Sequence, residues 1–203
     1  MEHTDNNTNE TEKEEKKGTH EGMKVILSYL HDVVFLIAVV MLLFSFCFRV
    51  VVVSGGSMNQ TLYNGDCLLV LGKVFYAEPK RGDIVVVSKD SFRDGDPIIK
   101  RVIAVAGDEV DIRSGIVYVN DVALDEPYIN GVATNAYDIS FPIEVEEGCV
   151  FALGDNRQNS TDSRSSQIGM IDKREILGRA VFLLFPGKNH NGREISRIGG
   201  LAN

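Results

Sequence analysis

The sequence predicts a mostly β domain behind one N-terminal transmembrane helix. Two observations lead to this prediction. A long apolar run without a charge extends from Val33 to Phe48, and from Ser54 onward short segments rich in Val and Ile alternate with Gly, Asp and Asn turns. Of the 203 residues 44% are hydrophobic, enough to build a core, so we expect one folded domain after the apolar run.

The apolar run has the length of a membrane span. As a helix, Val33 to Val53 would extend about 31 Å, close to a hydrocarbon core of about 30 Å. A buried helix of a soluble core is one alternative, but such a helix rarely lacks a polar face. A cleaved signal peptide is another, although its apolar region usually has about 7–15 residues. We therefore expect an uncleaved membrane anchor over residues 25–53, with its transmembrane helix at about 33–53.

The residues before the anchor are polar. Residues 1–24 include seven acids, so we expect a disordered tail, or at most a short solvated helix around Glu10–Lys17. Arg49 is the one basic residue directly after the uncharged run, whereas several lysines precede it. By the positive-inside rule this keeps the N-terminus cytoplasmic and exports the rest. These lysines are Lys13, Lys16, Lys17 and Lys24. The prediction is a single-pass cell-membrane protein with its folded domain on the extracellular side.

The exported part has clear strand signals at six places and weaker ones between Asp121 and Gly148, which could be an insertion or a lobe of its own. The six expected strands are Cys67–Leu71, Ile84–Ser88, Ile98–Val105, Ile116–Val119, Val150–Leu153 and Ala180–Phe185.

Composition excludes several classes of protein. The net charge of -8 argues against a nucleic-acid partner, because phosphate binding needs a basic face. Cys47, Cys67 and Cys149 are too few and too far apart for a disulfide scaffold, and they lack metal-ligand spacing. We therefore predict neither a metal nor an organic cofactor, and the roles of Cys67 and Cys149 stay open.

Histidine is scarce in the exported part. His3, His20 and His31 precede or border the anchor, and only His190 follows it. A Ser-His-Asp triad or a Cys-His pair there has almost no imidazole to use. If the domain performs covalent catalysis, its base must be another group.

Lys100 is the candidate base. A strand over Ile98 to Ala104 would place Lys100 on one face with Ile98, Val102 and Ala104. Desolvation there disfavours the ammonium form. For the amine to be neutral near pH 7, its pKa must fall from about 10.4 to about 7, which corresponds to about 4–5 kcal/mol. The alternative is an ordinary lysine at a strand edge or on the surface.

Two further segments are candidates for a site. Ser57 follows Gly55 and Gly56, which would allow a tight turn and close approach of an extended peptide, although a simple linker has the same composition. The segment Leu153 to Arg164 is dense in charges and amides directly after an apolar strand. Its two Asp and two Arg could brace a site by charge-assisted hydrogen bonds, or it could be a solvated loop.

These three segments together resemble the type I signal peptidases of bacteria, serine proteases with a Ser/Lys dyad. The motif around the family's nucleophile is similar to GGSMNQTL at 55–62, its lysine motif to KRVIAVAGD at 100–108, and its last motif to LGDNRQNSTDSR at 153–164. Weaker matches extend the resemblance in family order from Ser54 to about Phe185.

The resemblance implies the roles of individual residues. Ser57 would be the nucleophile, with its N–H as one oxyanion donor, and Lys100 would be the general base. Met58, Gly55 and Gly56 would contact the substrate. Five residues of the last motif would support the site: Ser160, which would hydrogen-bond and orient the Lys100 amine, and Asp162, Arg164, Asp155 and Arg157, which would shape it.

The implied fold is an antiparallel β-sheet protease domain, signal peptidase-like. Its catalytic core would comprise residues 54–110 and 149–190, with a small variable second lobe at 111–148 and a C-terminal tail at 191–203. Four positions depart from the family pattern: Gly55 in place of a serine in some members, Gln60 in place of proline, and Ala104 and Ala106 in place of Gly and Pro.

The resemblance implies an endopeptidase that removes signal peptides from exported preproteins after small residues at -1 and -3. Its partners would be these preproteins and the lipid bilayer, without nucleic acid, and we expect a monomer. With about four residues between anchor and Ser57, the site would lie within roughly 13 Å of the membrane. The alternatives are a LexA-like self-cleaving Ser/Lys protein and a membrane-tethered, non-catalytic β domain that binds a partner.

Overall fold

The chain folds into a helical unit, which ends at Phe46, and a β unit, which begins at Cys47. A computed structural model describes residues 5–92, 95–188 and 192–201, with side chains from residue 22 onward except residue 25. The expectations for His3 and His190 lie outside these ranges.

The helical unit is one long helix, α1, over Asp5–Cys47. Its segment Gly22–Cys47, 26 residues near the N-terminus, is long and apolar enough to cross a membrane. Apolar side chains are exposed along it, such as Leu42 at 73% and Phe46 at 69%. None of the residues in the most apolar part of this segment is buried, so it is not the core helix of a soluble domain.

The helix begins earlier than the sequence indicates. Residues 5–24, predicted to be a disordered tail, are helical from Asp5 onward. Extending an existing helix adds a hydrogen bond for each residue that is fixed and avoids the unfavourable nucleation step. Since Glu and Lys also have high helix propensity, the apolar helix continues into the polar tail.

The helix also ends earlier than predicted. It stops at Cys47 rather than Val53, and Phe48–Val52 forms strand β1. Val51 packs against the core and Val53 is 5% exposed, whereas Val50 and Val52 are exposed, which is the alternation of a half-buried strand. Ser57 therefore follows the end of the helix by ten positions and not by about four. The estimate that the site lies within roughly 13 Å of the membrane assumed the shorter connection and does not hold.

The main sheet confirms the prediction of a mostly β, antiparallel fold. Strand β1 pairs with β2, Cys67–Gly72, so that Phe48 lies opposite Leu71. The other strands of the sheet are β3 (Ile84–Val87), β4 (Ile98–Val105), β9 (Cys149–Leu153), β10 (Ile171–Asp172), β11 (Ile176–Phe185) and β12 (Gly199–Gly200). In the described ranges the strand order is β1-β2-β11-β3-β4-β9-β10, with β12 added to β11, and all pairings are antiparallel.

Both faces of the central strands are buried. In β3, Ile84 and Val86 pack into one hydrophobic cluster, whereas Val85 and Val87 pack into another. A strand that is covered on both faces has a continuous run of apolar residues, and the run IVVV of β3 made this strand predictable from the sequence.

A second, smaller sheet lies in the predicted second lobe. Its strands are β5 (Glu109–Arg113), β6 (Ile116–Val119), β7 (Val122–Ala123) and β8 (Ile143–Glu144), in the order β7-β6-β5-β8. Val110 and Val117 share a hydrophobic cluster with Ile103 and Phe151 of the main sheet. The second sheet therefore begins at Glu109 and packs directly on the main sheet.

The C-terminal segment is part of the β unit. Residues 191–203 were predicted to be a tail, but Ile195–Arg197 forms a 3-10 helix and β12 pairs with β11. Leu201 packs against the cluster that contains Met58 and Leu62. This segment has only isolated apolar residues and so carries no strand signal. β12 pairs with Phe182 and Leu183 of β11, beyond the residues of β11 that pair with β3.

A glycine in β11 gives a test of the sheet register. Gly178 lies opposite Gly72, and a Cβ at Gly178 would lie 2.2 Å from the Leu71 carbonyl oxygen. We expect Gly178→Ala to destabilise the fold by about 1–3 kcal/mol through overpacking and to lower the Tm measured by circular dichroism of the full chain in detergent. Gly199→Ala is the matched control, since its Cβ would meet nothing within 4 Å. Equal Tm values for both variants would contradict the register.

Candidate active site

Ser57 lies in a loop of successive turns between β1 and β2. Gly55, at φ +98, has a left-handed conformation that favours glycine, and its N–H donates to Asn64 Oδ1 at 3.0 Å. The Leu62 N–H donates to the Met58 carbonyl at 2.8 Å. Met58 and Leu62 are 1% and 0% exposed, so they anchor the loop in the core while Ser57 stays half-buried at its rim.

Lys100 reaches Ser57 from strand β4. Its Nζ lies 3.0 Å from Ser57 Oγ and 3.1 Å from the Ile99 carbonyl oxygen. Strand β4 is paired with β3 on one side and with β9 on the other, and Lys100 is 2% exposed. The alternative of an ordinary surface lysine is therefore wrong. The two side chains have the separation of a nucleophile and its base.

The two side chains line a cleft of about 890 Å³. Gly55, Gly56 and Met58, the predicted substrate contacts, also line it. Since Met58 is 1% exposed, its side chain belongs mainly to the core. The other lining residues include Val51, Val52, Val53, Phe92, Ile98, Ile99, Tyr137, Gln158, Asn159 and Ser160.

Asn156 binds two successive backbone carbonyl groups, those of Gly56 and Ser57. Its N–H donates to the Ser57 carbonyl at 2.9 Å, and its Nδ2 donates to the Gly56 carbonyl at 2.9 Å. Sequence reasoning missed this residue, although it lies in the motif that was singled out. In the described part of the chain the Ser57 N–H has no hydrogen-bond partner, so it remains available to an oxyanion.

Ser160 does not make the expected bond to the lysine amine. Its hydroxyl oxygen is buried and has no hydrogen-bond partner among the described residues, while the amine lies against Ser57 and the Ile99 carbonyl. Gly154 explains the tight packing here. A Cβ on Gly154 would lie 2.1 Å from Ser160 Oγ and 2.5 Å from the Ser57 carbonyl oxygen, so only glycine fits.

Asp155 joins β4 to the loop that carries Ser57. Its carboxylate accepts from Arg101 Nε at 2.9 Å and from Arg101 Nη2 at 2.8 Å, and the Thr61 hydroxyl also donates to it. Burial opposes the charge of Arg101, but the hydrogen bonds and charge of Asp155 outweigh burial and raise the pKa of Arg101. The partner of Asp155 is thus the residue next to Lys100, and not an arginine of its own loop.

Asp162 and Arg164 form a fully buried ion pair. Arg164 donates from Nε to Oδ1 at 2.8 Å and from Nη2 to Oδ2 at 2.7 Å, and both side chains are 0% exposed. Asp162 also accepts from the Gly154 N–H at 3.0 Å, and Arg164 donates to the Arg157 carbonyl at 2.8 Å. The pair therefore fixes the backbone of the loop that lies against Ser57.

Arg157 connects this loop to the second lobe. Its guanidinium binds the Glu126 carboxylate and the Thr134 hydroxyl, and Tyr137 donates from its hydroxyl to the Arg157 carbonyl at 3.0 Å. The expectation that the two Asp and two Arg of the motif brace one another holds only for Asp162 and Arg164. Glu126 lies 31 positions away in the chain, so sequence spacing gave no sign of this pair.

Gln60, which replaces the proline of the family motif, has φ +87. A proline ring fixes φ near -65°, so this loop has a backbone that the usual residue could not adopt. The Gln60 side chain accepts a hydrogen bond from Asn130 of the second lobe.

The described residues contain no group of three or more His, Cys, Asp or Glu that could hold a metal ion. All three cysteines are free thiols.

Two Asp-x-Arg pairs with the same spacing give a matched test of the buried one. Arg164→Met leaves the Asp162 carboxylate buried without its partner, so we expect a loss of about 3–5 kcal/mol in the free energy of unfolding. Arg174→Met removes an equivalent pair with Asp172 in which Arg174 is 87% exposed, and we expect little change. Urea unfolding of both variants measures the difference. Equal losses would show that the burial of the pair has no consequence.

The chain is similar to signal peptidases along most of its length. The family described as signal peptidase, peptidase S26, matches residues 26–185. Signal peptidase I of Bacillus licheniformis is 33% identical over 184 residues, 85% of this chain and 95% of that protein. Signal peptidase I T of Bacillus subtilis (strain 168) is 34% identical over 188 residues, 89% of this chain and 93% of that protein.

Among solved structures, the chain is similar to a signal peptidase I from Enterococcus faecalis, known from a crystal structure. The two sequences are 31% identical, the match covers 50% of this chain and 96% of that chain, and the TM-score is 0.41. The family match and the two Bacillus relatives decide the identity. The chain belongs to the peptidase S26 family of signal peptidases, which remove signal peptides from preproteins.

Proposed function

We propose that this chain is a membrane-anchored serine endopeptidase in which Ser57 is the nucleophile and a neutral Lys100 is the general base. The observation that carries the proposal is the distance of 3.0 Å between Lys100 Nζ and Ser57 Oγ, with Lys100 only 2% exposed. A hydroxyl is a weak nucleophile unless a base within hydrogen-bond reach accepts its proton.

The surroundings of Lys100 favour the neutral amine. Burial disfavours the charged form of a lysine, because the ammonium loses its hydration. Ile98 and Ile99, at 7% and 8% exposure, precede Lys100 on β4, and Met58, which follows Ser57, is buried in the core. A peptide in the cleft would exclude more water and strengthen this effect.

The chemistry proceeds in two halves. Lys100 takes the Ser57 proton as Oγ attacks the scissile carbonyl carbon, and the resulting ammonium gives that proton to the leaving nitrogen, which becomes the new N-terminus of the mature protein. The acyl-enzyme ester then reacts with a water whose proton Lys100 accepts. The signal peptide leaves as a carboxylic acid, and the proton returns to Ser57 Oγ. The free N–H of Ser57 supports its role as an oxyanion donor in both halves.

Two free strand edges support recognition of an extended substrate. Strand β1 is the first strand of the sheet order, and β9 pairs with β4 only from Arg101 onward, so Ile98 and Ile99 have no β9 partner on that side in the described residues. Val51 and Ile98 line the cleft. A peptide strand could hydrogen-bond to these edges, and shallow apolar pockets would accept small residues at -1 and -3.

The helix and the charges around it support a proposal for the location of the protein. We propose one membrane pass by the apolar part of α1, a cytoplasmic N-terminus and a β unit on the extracellular side, because the lysines precede the apolar segment. Exported preproteins and the lipid bilayer would be the partners, and the enzyme would act as a monomer.

The dyad is tested with a preprotein and detergent-solubilised full-length protein. Ser57→Ala removes the nucleophile and Lys100→Met removes the base, so we expect a loss of processing of at least about 1000-fold for each, and of up to ~10⁶-fold, the effect that such changes have in another serine protease. Lys89→Met is the control, since Lys89 binds Glu175 away from Ser57 and should leave the rate unchanged.

Processing at the wild-type rate by Ser57→Ala or Lys100→Met would exclude the dyad. A non-catalytic β domain predicts no processing by any variant, and a LexA-like protein predicts cleavage of its own chain without cleavage of the preprotein.

A neutral-amine base also predicts the pH dependence. An ammonium cannot accept the Ser57 proton, so the single-turnover acylation rate should increase with pH as the amine loses its proton, and then reach a plateau. The measurement uses excess enzyme between about pH 6 and about pH 9, with circular dichroism at each pH to verify that the protein is folded. A flat profile under these conditions would contradict a lysine base.

A further inference from the structure

We propose that Arg197, in the C-terminal segment, is a positioning residue that fixes the nucleophile loop around Ser57. This inference rests on the proposed function, because it concerns the same nucleophile. Arg197 is the last residue of the 3-10 helix Ile195–Arg197 and directly precedes the segment that adds β12 to β11.

The main partner of Arg197 is a fully buried carboxylate. Asp66 is 0% exposed, and Arg197 donates to it from Nη2 at 2.6 Å and from Nη1 at 3.1 Å. Asp66 also accepts from the N–H groups of Tyr63 at 2.8 Å and of Gly187 at 2.7 Å. A charge-assisted pair with two donor atoms holds both the distance and the orientation of its partner.

Asp66 lies in the turn that binds the chain just before Ser57. The Val53 N–H donates to the Asp66 carbonyl at 2.8 Å, and the Gly65 N–H donates to the Val53 carbonyl at 2.8 Å. Asn64 accepts from the Gly55 N–H at 3.0 Å. The turn that contains Asp66 therefore holds both Val53 and Gly55 by direct hydrogen bonds, and Gly55 is two residues before the nucleophile.

Arg197 also binds the chain just after Ser57. Its Nη2 donates to the Thr61 carbonyl at 3.1 Å, and its guanidinium lies 4.5 Å from the centre of the Tyr63 ring. The Thr61 hydroxyl donates to Asp155, which is paired with Arg101 next to Lys100. Thr61 is therefore held from one side by Arg197 and from the other by the strand that carries the base.

Arg197 is absent from the lining of the cleft among the described residues, so a peptide there would not contact it. Its removal should leave substrate binding intact and displace Ser57 relative to Lys100. A displacement of about 1 Å can cost about 100-fold in rate, because the reacting atoms leave their productive geometry. The effect should fall on kcat and not on KM.

The test compares Arg197→Ala with Arg193→Ala. Arg193 belongs to the same segment and loses the same charge, but it is exposed and stacks on the Phe185 ring at 4.4 Å. We expect Arg197→Ala to lower kcat for preprotein cleavage about 10–100-fold with KM within twofold. Hydrogen-exchange mass spectrometry should show faster exchange in the peptide that covers 57–66. Arg193→Ala should match the wild type in all three measurements.

Arg197→Lys keeps the positive charge and provides a second test in case Arg197→Ala does not fold. A lysine cannot bind both Asp66 oxygens and the Thr61 carbonyl with a planar fork, so we expect an intermediate kcat at a nearly unchanged Tm. Wild-type kcat in folded Arg197→Ala or Arg197→Lys would overturn the inference, as would equal losses in Arg197→Ala and Arg193→Ala. Processing by Ser57→Ala would instead overturn the proposed function. Hydrogen exchange of residues 57–66 does not depend on activity, so it tests the role of Arg197 even if the proposed function is wrong.

Discussion

The burial of one primary amine is the constraint on which the rest of the site depends. Lys100 is 2% exposed, yet its Nζ lies 3.0 Å from a hydroxyl at the rim of an open cleft. The sheet meets the first requirement, since β3 pairs with β4 at Lys100, β9 pairs with β4 from Arg101 onward, and Ile99 and Val102 close to the lysine are buried. The second requirement falls on a loop, because Ser57 must be held near the amine by a segment without regular structure.

Buried guanidinium–carboxylate pairs hold that loop and its neighbours. In the described chain three of these pairs join segments that are far apart in the sequence: Arg101–Asp155, Arg157–Glu126 and Arg197–Asp66. The fourth, Arg164–Asp162, fixes a turn of the 153–164 motif. A buried ion pair adds little net stability, because desolvation offsets the attraction, but loss of one partner is costly. We infer that these pairs specify geometry more than they stabilise the fold.

The sequence was sufficient to predict β2, β3, β4, β6, β9 and β11, because alternation and turn residues are local signals. Motif order also pointed to Ser57 and Lys100, whose Oγ and Nζ atoms lie 3.0 Å apart. The sequence was insufficient for the end of α1, since a run of valines fits a helix or a strand until Val51 and Val53 have a core to pack against. The partners of Asp155 and Arg157 were equally hidden. Arg101 is 54 positions from Asp155, and such pairs depend on proximity in the folded chain.

The nucleophile loop shows why so many separate contacts are needed. Its backbone includes positive φ values at Gly55 and at Gln60, which a free chain of these residues would seldom adopt together. Met58 and Leu62 fix its depth in the core but cannot fix its rotation, since apolar contacts are not directional. Hydrogen bonds supply the direction, and here they come from three separate parts of the chain: the loop after β9, strand β4 and the C-terminal segment. A loop held from three sides keeps the Ser57 hydroxyl aimed at the amine even though each single contact is weak.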